Sequence, residues 1–130
     1  MDAQSAARRW AETWEGSWPG KDAEAISALY APGATYRAHP MRASEDGAAL
    51  GYLTREFPRE QAIECRFGEP IAEGDRAAVE WWASWTEDGR ELTLAGATIL
   101  RFDDEGRVVE HVDYWNEADG RVSPFDGWGR

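Results

Sequence analysis

The dipeptide Asp88-Gly89 sits between two runs that alternate apolar and polar residues, and no other feature limits the fold so sharply. A two-residue turn of this composition closes an antiparallel hairpin and pairs Glu87 with Arg90. Strand side chains alternate between faces, so that single pairing assigns every neighbour to a side. One face collects Val79, Trp81, Ala83 and Trp85 with Leu92, Leu94, Gly96, Thr98 and Leu100. It is overwhelmingly apolar and must meet a core. The other face carries Glu80, Trp82, Ser84, Thr86, Glu91, Thr93 and Arg101, mixed enough for water or a second subunit.

Turn signals at Glu73-Gly74 and from Asp103 to Gly106 extend the hairpin to a four-strand meander from Gln61 to Asn116. Its last strand adds Val109, His111, Asp113 and Trp115 to the core face. The strand from Gln61 to Ala72 is out of phase, since direct pairing would send Glu64 and Arg66 inward. A bulge near Gly68 to Pro70 restores Ile63, Cys65 and Phe67 to the inside; without it Arg66 enters the pocket.

Upstream, the periodicity is helical. Ala6, Ala7, Trp10 and Trp14 mark one face of a helix from Ser5 to Glu15, broken at Pro19-Gly20. Asp22 caps a second helix with Ala25, Ile26, Leu29 and Tyr30 on its apolar face, ending at Pro32-Gly33. Ala34 to His39 reads as a short strand whose inward residue, Tyr36 or Arg37, is undetermined. A third helix starts near Ser44 and Gly47 and buries Ala49, Tyr52, Leu53 and Phe57 before Pro58. Helices first and an antiparallel sheet afterwards define an α+β fold, and 130 residues suit one domain spanning 1–130.

Fourteen Lys and Arg against 25 Asp and Glu leave a net charge of −11, which repels nucleic acid and anionic membranes. A lone cysteine, Cys65, cannot form an intrachain disulfide, and no apolar run is long enough to span a bilayer. A cytoplasmic location follows as the default expectation. Trp82, Ile99, Val112 and Tyr114 on the outer sheet face suggest a homodimer through that face.

His111 and Asp113, two apart on one strand, project together into the apolar face. Burial disfavours a charged carboxylate and so prepares Asp113 for acid-base work. The competing reading is a buried polar pair that satisfies itself without turnover. Thr98, opposite this pair, can hold a substrate oxygen or simply pack. His39, at the end of its strand beside Pro40, is a further candidate. His39, His111 and Asp113 lack the spacing of a metal site, and neither a metal nor another cofactor is required.

Two stretches, Asp22 to Pro40 and Leu92 to Glu117, resemble the nuclear-transport-factor-2-like superfamily, within it the SnoaL-like polyketide cyclases and the ketosteroid isomerases. The resemblance implies a cone-shaped barrel, three N-terminal helices packed on a strongly curved, mostly antiparallel sheet around a pocket for a small hydrophobic molecule. Asp113 resembles the acid-base aspartate of the cyclases. His39 falls where the isomerases carry their proton-shuttling aspartate. Trp14 and Thr98 stand where those isomerases hold their oxyanion donors, so ketosteroid isomerisation itself is not expected.

Two functions follow as expectations. In one, Trp14, Tyr36, Trp81, Thr98 and Trp115 hold a small apolar substrate while Asp113, with His111 or His39, moves a proton. In the other, the domain is a non-catalytic ligand-binding or dimeric assembly module. The tail from Val122 to Arg130 is expected to fold over the pocket mouth or a partner subunit.

Overall fold

The computed structural model describes all 130 residues. Helix α1 (Ala3–Ser17) begins at Asp2, whose carboxylate accepts from the Ser5 N–H at 2.8 Å, and its buried stripe is Ala3, Ala6, Ala7, Trp10, Ala11 and Trp14. The alanines allow close approach to the sheet, and the tryptophans fill the space beneath. Helix α2 (Ala23–Ser27) is capped by Asp22, as its sequence demands, yet lasts only five residues. Strand β1 (Tyr30–Arg37) begins before Pro32-Gly33 rather than after it. The expected second helix is thus cut short, because Leu29 and Tyr30 gain more from joining the sheet: Val108 donates its N–H to the Leu29 carbonyl at 2.9 Å. The irregular register between Tyr30 and Thr35 absorbs the Pro-Gly pair.

Helix α3 (Ala48–Glu56) starts after Gly47, which takes the left-handed conformation at φ 77°, and runs into a short 3-10 turn at Phe57–Arg59. The remaining strands are β2 (Gln61–Phe67), β3 (Ile71–Glu73), β4 (Arg76–Glu87), β5 (Arg90–Phe102) and β6 (Val108–Asp119). Their order, β1-β6-β5-β4-β2 with β3 on β4, is that of an open, curved sheet, a cone and not a closed barrel. All pairs are antiparallel except β1 with β6. That parallel pair sets Tyr36 beside His111 and answers the facing question: Tyr36 points in and Arg37 out.

The register derived from Asp88-Gly89 holds along its whole length, from Glu87 opposite Arg90 to Arg76 opposite Arg101. Cys65 faces Ala83 and Phe67 faces Trp81, so β2 is in phase with the core face, and the break at Gly68–Pro70 separates it from β3. Arg66 is directed away from the pocket, its guanidinium 5.4 Å from the Trp128 ring. One assignment is corrected: a register shift beside Phe102 buries Val108 in place of Val109. Gly96, opposite Trp115, lies where any Cβ would stand 1.8 Å from the Tyr114 carbonyl oxygen, so only glycine allows this curvature.

The C-terminal tail contributes no residue to the pocket lining. It folds onto the chain's own outer face, where the Trp82 indole donates to the Val122 carbonyl at 2.6 Å and packs against Phe125 and Trp128. Of the apolar residues assigned there, Trp82 is thereby covered and Tyr114 remains exposed. No helix is long and apolar enough to cross a membrane.

Candidate active site

Six of the eight tryptophans, Trp10, Trp14, Trp18, Trp81, Trp85 and Trp115, line one cavity between the helices and the sheet. Tyr36, Tyr52, Leu53, Phe57, Phe67 and Leu94 complete its apolar wall. Thr98, His111, Asp113 and Glu60 are its polar residues, and no Lys or Arg lines it. The open space amounts to about 40 Å³, room for a few waters.

A continuous hydrogen-bonded chain crosses the inner end. The Trp10 and Trp14 indoles both donate to the Tyr30 hydroxyl oxygen, at 2.9 and 3.3 Å. An indole nitrogen can only donate, so the Tyr30 proton is left for its remaining neighbour, Nδ1 of His111, at 2.9 Å. His111 Nδ1 is therefore an acceptor and the ring proton resides on Nε2, which donates to Asp113 Oδ1 at 2.7 Å. From the other side Trp81 donates to Thr98 Oγ1 at 2.8 Å, and Thr98 donates to the same Asp113 Oδ1 at 2.6 Å. Every donor in the chain has one direction, and both halves end on one carboxylate oxygen.

Asp113 Oδ2 takes no hydrogen bond from the protein. It is not sealed either, since no buried polar side-chain atom is left without a partner. The carboxylate is thus half fixed and half open to the cavity. The Tyr36 ring stacks on His111 with centroids 3.8 Å apart, which fixes the imidazole plane. Burial raises the Tyr30, Tyr36 and Tyr52 hydroxyls above the ordinary phenol range, with the charge of Asp113 adding to the shift, so all three stay protonated.

Of the residues singled out in the sequence, Trp14, Tyr36, Trp81, Thr98, His111, Asp113 and Trp115 converge on this cavity. His39 does not. Its ring packs edge-on to Trp115 at 5.0 Å, and its Nδ1 accepts from the Met41 N–H. The trio of His39, His111 and Asp113 therefore does not gather. Cys65 is half-buried with its thiol pushed up to about 12, mainly by burial.

Two contributors escape sequence reasoning. Tyr30 looks like one more apolar position of a helix, whereas it is the hub that sets the His111 tautomer. Glu60 follows Pro58-Arg59, where a charged residue reads as exposed; it is buried on the cavity wall and accepts from the Trp18 indole at 2.8 Å. Burial pushes its carboxyl up to about 7, assisted by Glu56 and Glu87 and opposed by the Trp18 N–H and Lys21.

An α+β cone with a half-open carboxylate among the aromatic rings of its cavity is a known architectural class. Residues 7–111 match the model of the SnoaL-like domain, and the chain belongs to that family. Among curated proteins none matches it. Solved structures share the fold. The epoxide hydrolase/cyclase-like enzyme SalBIII, which acts in pyran ring formation in the polyether salinomycin, superposes with a TM-score of 0.76 at 14% identity, over 92% of this chain and 99% of its own. A protein with a ketosteroid isomerase-like fold from Catenulispora acidiphila, in complex with trimethylamine, gives 0.70 at 21% identity over 81% and 83%. An M. tuberculosis LEH-like epoxide hydrolase gives 0.70 at 16% over 87% and 84%.

Proposed function

We propose that this SnoaL-like protein is a small-molecule enzyme in which Asp113 takes and returns a proton on a compact, apolar, cyclic substrate. The reaction is of the isomerase, cyclase or epoxide-opening kind. One observation carries the reading: two donors hold Asp113 Oδ1 while Oδ2 is left open to an aromatic cavity. A carboxylate arranged this way keeps its geometry and loses one face of its hydration, which suits a base near a bound substrate. Thr98 and His111 orient it, and the tryptophans hold the substrate and exclude water. One neighbour in fold is an epoxide hydrolase/cyclase-like enzyme of pyran ring formation and another an LEH-like epoxide hydrolase, which supports the choice of chemistry.

The test uses two probes of seven heavy atoms, cyclohex-3-enone, which isomerises to the conjugated enone, and cyclohexene oxide, which opens to the diol. Wild type is expected to turn over at least one, and Asp113→Asn to lose about 100-fold or more. Turnover that survives in Asp113→Asn, or its absence with both probes, would overturn the reading.

A second reading, a ligand-binding module, is favoured by the modest cavity and the internally satisfied chain from Trp81 to Tyr30. It predicts saturable binding of either probe with no product. Dimerisation through the outer sheet face is a separate proposal resting on exposed Tyr114 and Ile71; sedimentation at micromolar concentration tests it, a monomer being the contrary result.

A further inference from the structure

All six indole N–H groups around the cavity are engaged within the protein. Those of Trp10 and Trp14 go to Tyr30, that of Trp18 to Glu60, that of Trp81 to Thr98, that of Trp85 to Glu87 at 3.2 Å and that of Trp115 to the Ala38 carbonyl at 2.6 Å. Thr98 and His111 likewise direct their hydrogens to Asp113. The side-chain donors left over are the hydroxyls of Tyr36 and Tyr52. Against them stand two carboxyl groups, Glu60 and Asp113, with no Lys or Arg on the wall. The cavity therefore offers a ligand acceptor oxygens and the faces of indole rings, a lining that favours a cation over an anion.

Glu60 is the member of this set that the acid-base reading leaves without a task. It is 5% exposed, forms no ion pair, and accepts one side-chain hydrogen bond, to Oε1 from Trp18. Trp18 in turn packs against Trp81 and Trp85, with ring centroids 6.1 and 5.7 Å away, so one carboxyl group and three indoles form a single cluster. A buried carboxylate without a cation is costly, and an indole face attracts a cation most strongly where water is excluded.

We propose that Glu60 and the indoles of Trp18, Trp81 and Trp85 form a subsite for a compact alkylammonium group, so that the ligand of this pocket is a small, mainly apolar molecule bearing one amine cation. The inference rests on the reading of the cavity as a small-molecule pocket and narrows its substrate class; it does not require Asp113 to act as a base. Glu60 supplies the counter-charge, and the indole faces hold the methyl or methylene groups next to the nitrogen. Space for a few waters suits a head group of this size. Cation and proton compete for the same carboxylate. Burial holds the Glu60 proton up to about 7, with Glu56 and Glu87 adding to the effect and the Trp18 N–H and Lys21 opposing it. Arg59 is bound to Glu56 and Glu87 and not to Glu60. Affinity for the cation therefore rises as pH passes upward through about 7.

Tetramethylammonium and methylammonium, both cationic from pH 5.5 to 8, are titrated into the protein and followed by ¹H NMR of their methyl groups, which indole ring currents shift upfield. Neutral tert-butanol, close in size to the first, is the control. At pH 8 at least one cation is expected to bind saturably, about tenfold or more tighter than tert-butanol, and to bind about tenfold more weakly at pH 5.5. Glu60→Gln keeps the shape and can still accept from Trp18, and near-ultraviolet circular dichroism checks that it is folded. It should weaken the cation about tenfold at pH 8, leave tert-butanol unaffected and remove the pH dependence. The proposal is overturned if neither cation binds, if tert-butanol binds as well, or if Glu60→Gln binds the cation as wild type does. The neutral probes of the turnover assay report on Asp113 separately. Cation binding without their turnover sinks the acid-base reading alone, and turnover without cation binding sinks this one alone.

Discussion

Tyr30 and His111, 81 residues apart in the chain, share a 2.9 Å hydrogen bond whose direction is dictated by two tryptophans. With both acceptor positions of the phenol oxygen taken by Trp10 and Trp14, the phenol proton is directed to His111 Nδ1, and the ring proton lies on Nε2 toward Asp113. The candidate base on β6 is thus oriented from helix α1, through a strand residue and an imidazole. ¹⁵N NMR of labelled His111 is expected to show a protonated Nε2 and an unprotonated Nδ1. Tyr30→Phe leaves two indole N–H groups and Nδ1 without partners in a buried site, and should cost at least about 2 kcal/mol in chemical denaturation. A loss within error would mean that the three groups find other partners.

Thr98 forms the other support of Asp113, accepting from Trp81 and donating to Oδ1. Thr98→Val keeps the volume and removes both bonds, so a stability loss of about 1 to 3 kcal/mol is expected. Thr98→Ser, which keeps the hydroxyl, should lose much less. In the probe assays valine should lower kcat with KM little changed, because it disturbs the base and not the apolar wall. Equal behaviour of serine and valine would show that the two bonds of the hydroxyl do not set the effect of Thr98.

What the sequence made legible, and what it hid, divides along local and non-local information. Asp88-Gly89 and strict alternation placed Trp81, Thr98, His111 and Asp113 on one face, since a tight turn fixes register residue by residue. Tyr36 against Arg37 stayed open because β1 pairs in parallel with a strand some 70 residues on, with no turn to set its phase. Tyr30 was misread because the α2 periodicity continues past the helix end, and tertiary pairing overrides it. Glu60 gave no signal at all. Its burial comes from Trp18, 42 residues earlier, and a glutamate beside Pro and Arg has the composition of a surface turn.

The tail is tied down by a glycine pair. Gly68 lies so close to Gly129 that a Cβ at 68 would stand 2.8 Å from the Gly129 Cα, and the next residue, Glu69, donates its N–H to the Gly129 carbonyl at 2.8 Å. Gly68→Ala is expected to displace the last residues and expose Trp82 and Trp128. Proteolysis should then cut the tail first, and iodide should quench a larger share of the tryptophan fluorescence. The pocket tryptophans lie on the opposite face, so turnover should change little. An unaltered tail in Gly68→Ala would show that the Trp82 contacts suffice without the glycine contact.

Glu60 makes stability depend on pH in a direction opposite to that of a salt-bridged carboxylate. Its carboxyl is raised from 4.5 to about 7 in the folded chain, chiefly by burial, so between those values the native state binds more protons than the unfolded one. The contribution is fully present below pH 4.5, falls as pH rises through about 7, and is gone above it. A gap of that size corresponds to about 3 kcal/mol. Glu60→Gln carries no charge and can still accept from Trp18, so it should flatten this part of the curve. It should raise the Tm relative to wild type at pH 8 and match wild type closely near pH 5. Thermal melts of both proteins across pH 5 to 8 decide the matter. A constant difference between them at every pH would mean that Glu60 is already ionised at pH 5, with Lys21 and the Trp18 N–H outweighing burial.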